Sequence, residues 1–108
     1  MDDVEYVGYI QRSIGYVQEY VAGGREAFLT SRLVQDATLY RLHTIAEATQ
    51  RISSGLKAPY PEVNWRGIAG FRNVLVHEYM SLRLATVWDV IERDLPELQR
   101  VVGLMLSR

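Results

Sequence analysis

The sequence predicts an all-α protein, an up-and-down bundle of four or five helices joined by short connections. Two observations carry this reading. Apolar residues recur at three- and four-residue steps along most of the chain, the mark of amphipathic helices. No stretch shows the two-residue alternation of a half-buried strand. The chain has 108 residues, which fits one domain spanning 1–108. A domain of this size buries roughly 60–70% of the surface its unfolded chain would expose, enough for a core without covalent staples.

The elements follow in order. Val4, Val7, Ile10, Ile14, Val17 and Val21 form the stripe of a first helix, and Gly23-Gly24 ends it. A second, longer helix is expected from about Arg25 to Ile52. Leu33, Ala37, Tyr40, Thr44 and Ala48 line its inner side, with Leu29, Val34, Leu42 and Ile45 beside them. "SSGLKAPYPE" (53–62) carries two prolines and a glycine and is the clear loop. A third helix is expected from Glu62 or Trp65 to Met80. A fourth begins near Leu84, with Trp88, Ile91, Leu95, Leu98, Val102 and Met105 in a nearly heptad pattern. Pro96 interrupts it. Asp94 as N-cap and Glu97 three residues on match a capping box, so a kink or a new helix start is expected there.

Composition narrows the function classes. Hydrophobic residues make up 48% and charged residues 23%, as in ordinary globular proteins. The absence of cysteine excludes disulfides and thiolate metal sites. No apolar run approaches the roughly 20 residues that a membrane span needs, and "MDDVEY" opens with acids where a secretory segment carries bases. A cytoplasmic protein is expected, with no membrane partner. A net charge of −1 argues against broad attraction to nucleic acid. Eleven of the twelve basic residues are arginine, Lys57 being the exception. Guanidinium forks suit phosphate recognition, although biased genome composition gives the same excess.

The stretch "RNVLVHEY" (72–79) within the third helix carries the chemistry. At 100° per residue, Ile68, Phe71, Leu75, Tyr79 and, if the helix runs that far, Leu82 fall on the core face. Arg66, Gly70, Asn73 and His77 line the opposite side. Trp65, Val76 and Met80 flank that polar stripe, with Val74 on its other edge. The outer face is therefore unusually apolar, and a helix buried on both sides in a thin bundle implies a second chain. A homodimer through this surface is expected. Gly70, costly in mid-helix by about 1 kcal/mol, fits close approach of another backbone or a ligand. It fits equally a loosened helix start together with Gly67.

Asn73 and His77 are neighbours four residues apart, while Arg72 points about 140° away from His77 around the axis. Such a set suits phosphodiester cleavage without metal. Histidine can exchange a proton near neutrality, arginine can stabilise charge on phosphate, and an amide can orient either. The only other histidine is His43, and no cluster has metal-ligand spacing. Spacing alone leaves plainer roles open, and they are the commoner ones: a hydrogen-bonded structural His77, an Arg72 paired to Glu78 or to an acid on another helix, a core Tyr79.

At these residues "WRGIAGFRNVLVHEY" resembles the signature of the HepT-like toxins, once called DUF86, of the HEPN superfamily. Their motif is an arginine, four to six residues, a histidine, one residue and a tyrosine, which Arg72, His77 and Tyr79 fit. The resemblance extends to "ATLYRLHTIAEAT" (37–49) and "TVWDVIERDLPEL" (86–98). It implies a dimeric HEPN-like bundle with two motifs facing each other. It also implies metal-independent endoribonuclease activity without a cofactor, in which a 2′-hydroxyl of the RNA substrate attacks the adjacent phosphodiester. Arg72 and His77 would be catalytic, with Asn73 the polar residue after the arginine. An antitoxin of the MNT nucleotidyltransferase type would transfer AMP from ATP onto Tyr79. The alternative is a non-catalytic dimeric module binding a nucleotide or a nucleotidyltransferase.

Overall fold

The computed structural model describes residues 1–107, so Arg108 at the end of the expected domain lies outside the described residues. All regular structure among them is helical. The elements are α1 (Asp3–Tyr20), α2 (Arg25–Thr30), α3 (Arg32–Arg51), α4 (Ser54–Lys57), α5 (Trp65–His77), a 3₁₀ turn (Tyr79–Ser81), α6 (Leu84–Asp89), a π-helical turn (Val90–Asp94) and α7 (Leu95–Leu106). The expected bundle is there, built on α1, α3, α5 and the continuous α6–α7 segment.

α1 begins at a full capping box, in which Asp2 accepts from Glu5 N–H and Glu5 reaches back to the Asp2 amide. Val7, Ile10, Ile14 and Val17 are buried as the stripe predicts, but Val4 is 69% exposed because it precedes the packed part of the helix. Gly24, at φ +90°, takes the left-handed conformation that glycine adopts without steric cost, and turns the chain into α2.

The expected helix from Arg25 to Ile52 is two helices. Ser31 adopts an extended backbone, and its hydroxyl accepts from Val34 N–H at 3.2 Å, which caps α3 and ends α2. The break frees Phe28 to turn fully inward against Trp88, with ring centroids 5.6 Å apart. The inner face of α3 also differs from the expected one. Leu39, Leu42, Ile45, Ala46, Ala48 and Thr49 are buried, whereas the expected inner residues Leu33 and Tyr40 are 80% and 61% exposed.

Two pairs of contacts show how the helices run. Asp3 of α1 accepts from the amide and hydroxyl of Ser53, and Tyr9 accepts from Arg41, so α1 lies antiparallel to α3. Arg72 meets Glu47 and Tyr79 meets Asp36, so the chain from α5 onward also runs against α3. The predicted loop 53–62 contains the single turn α4, capped by Ser53. Lys57 fastens it by donating to the Thr49 carbonyl at 3.0 Å.

α5 starts at Asn64, whose side chain accepts from Gly67 N–H at 2.9 Å. A Cβ at position 67 would collide with the Asn64 side chain, so glycine lets that cap form without displacement. Trp65, expected beside the outer stripe, is half-buried and donates its indole N–H to the Tyr60 carbonyl. The helix stops at His77, short of the expected Met80. The Ser81 amide and hydroxyl both donate to the Glu78 carbonyl, a local alternative to another helical turn.

Near Pro96 the helix neither breaks nor restarts. Asp94 is helical and makes no capping bond. The chain widens into a π turn, closed by Leu95 N–H donating to the Val90 carbonyl. A proline ring collides with the carbonyl four residues before it, and a wider turn relieves that collision. Ile91, Leu95, Leu98, Val102 and Met105 stay buried through it.

Phe28→Ala is expected to cost about 3–5 kcal/mol, since the side chain is fully buried and its loss leaves a cavity. Urea unfolding followed by tryptophan fluorescence measures it. A loss below about 1 kcal/mol would mean that the α2–α6 contact is not part of the core.

Candidate active site

The residues of "RNVLVHEY" separate once α5 is seated on α3. Leu75 is buried and Phe71 half-buried, so they anchor the helix. Asn73, Val76 and His77 are exposed, as are Arg66 and Gly70 further back, so the outer stripe lies at the surface as expected. A Cβ at Gly70 would meet nothing within 4 Å in its own chain.

Arg72 does not reach round to His77. Its Nε–H donates to Glu47 Oε2 at 2.8 Å, and its Nη1–H donates to Asn73 Oδ1 at 3.2 Å. Glu47 also meets Arg51 at 3.4 Å, so two guanidinium groups share one carboxylate. The hydrogen bond from Arg72 holds the Glu47 carboxyl below its usual range, with partial burial opposing and Arg51 helping. Arg72 and Glu47 side chains keep 29% and 34% of their surface. The fork therefore remains open to a ligand while its direction is fixed.

His77 is the last residue of α5, on a shallow open surface formed by residues 76–81. Tyr79 departs most from the sequence reading. It was expected on the core face, but it is 47% exposed and donates its hydroxyl hydrogen to Asp36 Oδ1 at 3.3 Å. Ending the α-helix at His77 swings this residue outward. Within one chain the site is an arginine held by a carboxylate, an amide bonded to that arginine, and a histidine one turn further along.

The sequence reading missed the contribution of α3. Asp36, Tyr40, His43, Glu47 and Arg51 follow one another at steps of four, three, four and four, a single outward stripe. Placing Tyr40 in the core concealed it. Asp36 holds Tyr79, Glu47 holds Arg72, and His43 stands one turn from Glu47 on the same face. Exposed Leu33 and Tyr40 lie within about one turn of Asp36 on α3, and exposed Val76 and Met80 lie within three residues of Tyr79. The outer face is thus apolar toward Met80 and polar toward Arg72.

The lowered Glu47 pKa gives a testable sign. Stability from the ion pair is fully present above the ordinary value of 4.5 and disappears as pH falls through the lower folded-state value. Glu47→Gln is therefore expected to reduce stability near pH 7 by at most about 1 kcal/mol, as for partly exposed pairs. Melting temperatures of the two proteins should converge as pH falls below 4.5 and through the lower folded-state value. A difference that persists unchanged in acid would show that the pair contributes nothing through charge.

A sequence description of the family "Ribonuclease HepT-like" matches residues 10–105. The chain is 30% identical over 98 residues to a Methanocaldococcus jannaschii protein named "Gamma-glutamylcyclotransferase and putative RNase". That match covers 90% of this chain but 44% of the longer protein, so the chain spans under half of that relative. It is 29% identical over 96 residues to the "Probable ribonuclease HepT" of Thermococcus cleftensis, covering 88% of this chain and 87% of that one. It is 28% identical over 104 residues to a "Putative RNase" of Caldanaerobacter subterraneus subsp. tengcongensis, covering 95% and 93%. No solved structure matches. With a family match across nearly its whole length, the chain belongs to the HepT-like ribonuclease family.

Proposed function

We propose that the protein is the toxin of a toxin–antitoxin pair, a metal-independent endoribonuclease acting as a homodimer. The observation that carries this reading is the fixed, open fork of Arg72 beside Asn73, one helical turn from exposed His77. The fork binds the scissile phosphate and stabilises charge that grows on its oxygens. The 2′-hydroxyl loses its proton, its oxygen bonds to phosphorus, and the bond to the 5′-oxygen breaks. The products are a 2′,3′-cyclic phosphate and a 5′-hydroxyl end. One imidazole cannot take the first proton and supply the second in the same step. Two copies facing each other provide two copies of His77, one for each transfer.

The apolar half of the outer face supports the dimer. Leu33 and Met80 are 80% and 96% exposed, beside Tyr40 and Val76, and clustered exposed apolar side chains mark interaction surfaces. A two-fold pairing through this patch sets the polar halves with Arg72 and His77 side by side.

We further propose that an MNT-type nucleotidyltransferase partner silences the enzyme by adenylylating Tyr79. The Tyr79 oxygen bonds to the α-phosphorus of ATP, pyrophosphate leaves, and Asp36 lies where it can receive the phenolic proton. The attached phosphate, two residues from His77, would occupy the space and positive potential that RNA needs.

Purified protein is expected to cut RNA equally well in chelator. His77→Ala should lower the rate at least 100-fold while sedimenting as the same dimer, and Met80→Glu should sediment as a monomer and lose cleavage. Intact RNA with folded wild-type protein would overturn the nuclease reading. For the second proposal, intact mass after co-expression with a nucleotidyltransferase should rise by whole AMP units mapping to Tyr79. The gain should be absent in Tyr79→Phe, and an unchanged gain in that variant would rule out the assignment.

A further inference from the structure

A second feature lies beside the motif, on the other side of Glu47. Between the start of α1 and the C-terminal half of α3 is an open hollow of about 400 Å³, lined by Tyr6, Tyr9, His43, Thr44, Glu47 and Arg51 among others. Its chemistry is not that of a solvated helix groove. Its lining includes the aromatic side chains of Tyr6 and His43 and the guanidinium of Arg51, whose side chain is 60% exposed. Glu47 is the only carboxylate lining the hollow, and it is shared between Arg51 on the rim and Arg72 outside it, so the local balance is positive. A cation is the wrong occupant for that balance. Among the described residues no group of three or more histidines and carboxylates could hold a metal.

We propose that this hollow is a nucleotide-binding subsite, in which a base stacks on the Tyr6 and His43 rings and Arg51 takes the phosphate attached to it. Stacking on aromatic side chains tolerates any base, because every base has a π-face. Glu47 joins the two sites, because the carboxylate that orients the Arg72 fork also meets Arg51 on the rim of the hollow. A strand whose scissile phosphate sits on Arg72 can therefore place a neighbouring nucleotide between α1 and α3. The position also leaves the apolar half of the outer face, around Met80, free for a second copy. A near-neutral chain needs such local contacts, since its net charge of −1 supplies no general attraction to RNA. As an RNA subsite the hollow rests on the ribonuclease reading. Binding of a free nucleotide there does not, so the two can fail separately.

The test is a titration of the full chain with 5′-AMP, followed by proton NMR of the histidine rings. Only two histidines are present, so His43→Gln assigns both signals. The His43 signal is expected to shift and saturate, with a smaller movement of His77. Arg51→Ala, at an exposed position that leaves the core untouched, should weaken 5′-AMP at least fivefold, and Tyr6→Ala at least tenfold. Inorganic phosphate alone should move His43 far less. In the RNA arm, Tyr6→Ala should raise KM for a short oligonucleotide at least fivefold and change kcat less than twofold. A His43 signal indifferent to 5′-AMP, or equal binding by wild type, Tyr6→Ala and Arg51→Ala, would overturn the subsite. Saturable 5′-AMP binding by a chain that cuts no RNA would uphold it and remove the nuclease reading instead.

Discussion

Arg72 follows Glu47 by 25 positions, and only the packing of α5 against α3 brings their side chains to 2.8 Å. Everything in the candidate site depends on that packing. Phe71 and Leu75 turn one side of α5 inward, toward the core to which Leu42 and Ile45 of α3 also belong. The outer edge of α5 is thereby aligned with the outer stripe of α3. Burial of these side chains contributes about 1.5–3 kcal/mol each, whereas a partly exposed ion pair contributes about 1 kcal/mol or less. The apolar contacts therefore hold the helix in place. The Arg72–Glu47 bond aims a side chain that is already there, and its consequence is orientation rather than stability.

The same division explains the two halves of the outer face. α5 runs against α3, so its motif arginine falls beside the C-terminal half of α3, where Glu47 and Arg51 stand. Tyr79 falls beside the N-terminal half, at Asp36, and exposed Leu33, Tyr40, Val76 and Met80 each lie within four residues of one or the other. One face thus carries a charged region able to meet phosphate and an apolar region able to meet a protein. Had α5 continued as a helix to Met80, Tyr79 would have stayed on the core side. The 3₁₀ turn that Ser81 stabilises puts its hydroxyl at the surface.

Much of this was legible in the sequence. The all-helical class, the first helix and the surface stripe of Asn73 and His77 all follow from a period of 3.6 residues, which left the start of α5 open between Glu62 and Trp65. What was not legible came from short side chains acting on the backbone. Ser31 splits the second helix through a single capping bond, and no glutamate three residues later marks it as a capping box. With Tyr40 read into the core, the stripe from Asp36 to Arg51 is lost from view as well. At Pro96 the letters "DLPE" fit a helix start, yet the chain keeps its helix by widening one turn. Periodicity cannot distinguish those outcomes, because both leave Leu95 and Leu98 buried.

The chemistry assigned to this face makes one demand that no binding role shares: the nucleophile must be the RNA's own 2′-hydroxyl. The decisive measurement is end-group analysis of an oligoribonucleotide cut by the protein in chelator, beside the same oligonucleotide with a single 2′-deoxy residue at the cleavage position. The account predicts 2′,3′-cyclic phosphate and 5′-hydroxyl ends from the first and no cut at that position in the second. Cleavage of the 2′-deoxy linkage, or 5′-phosphate ends, would contradict it.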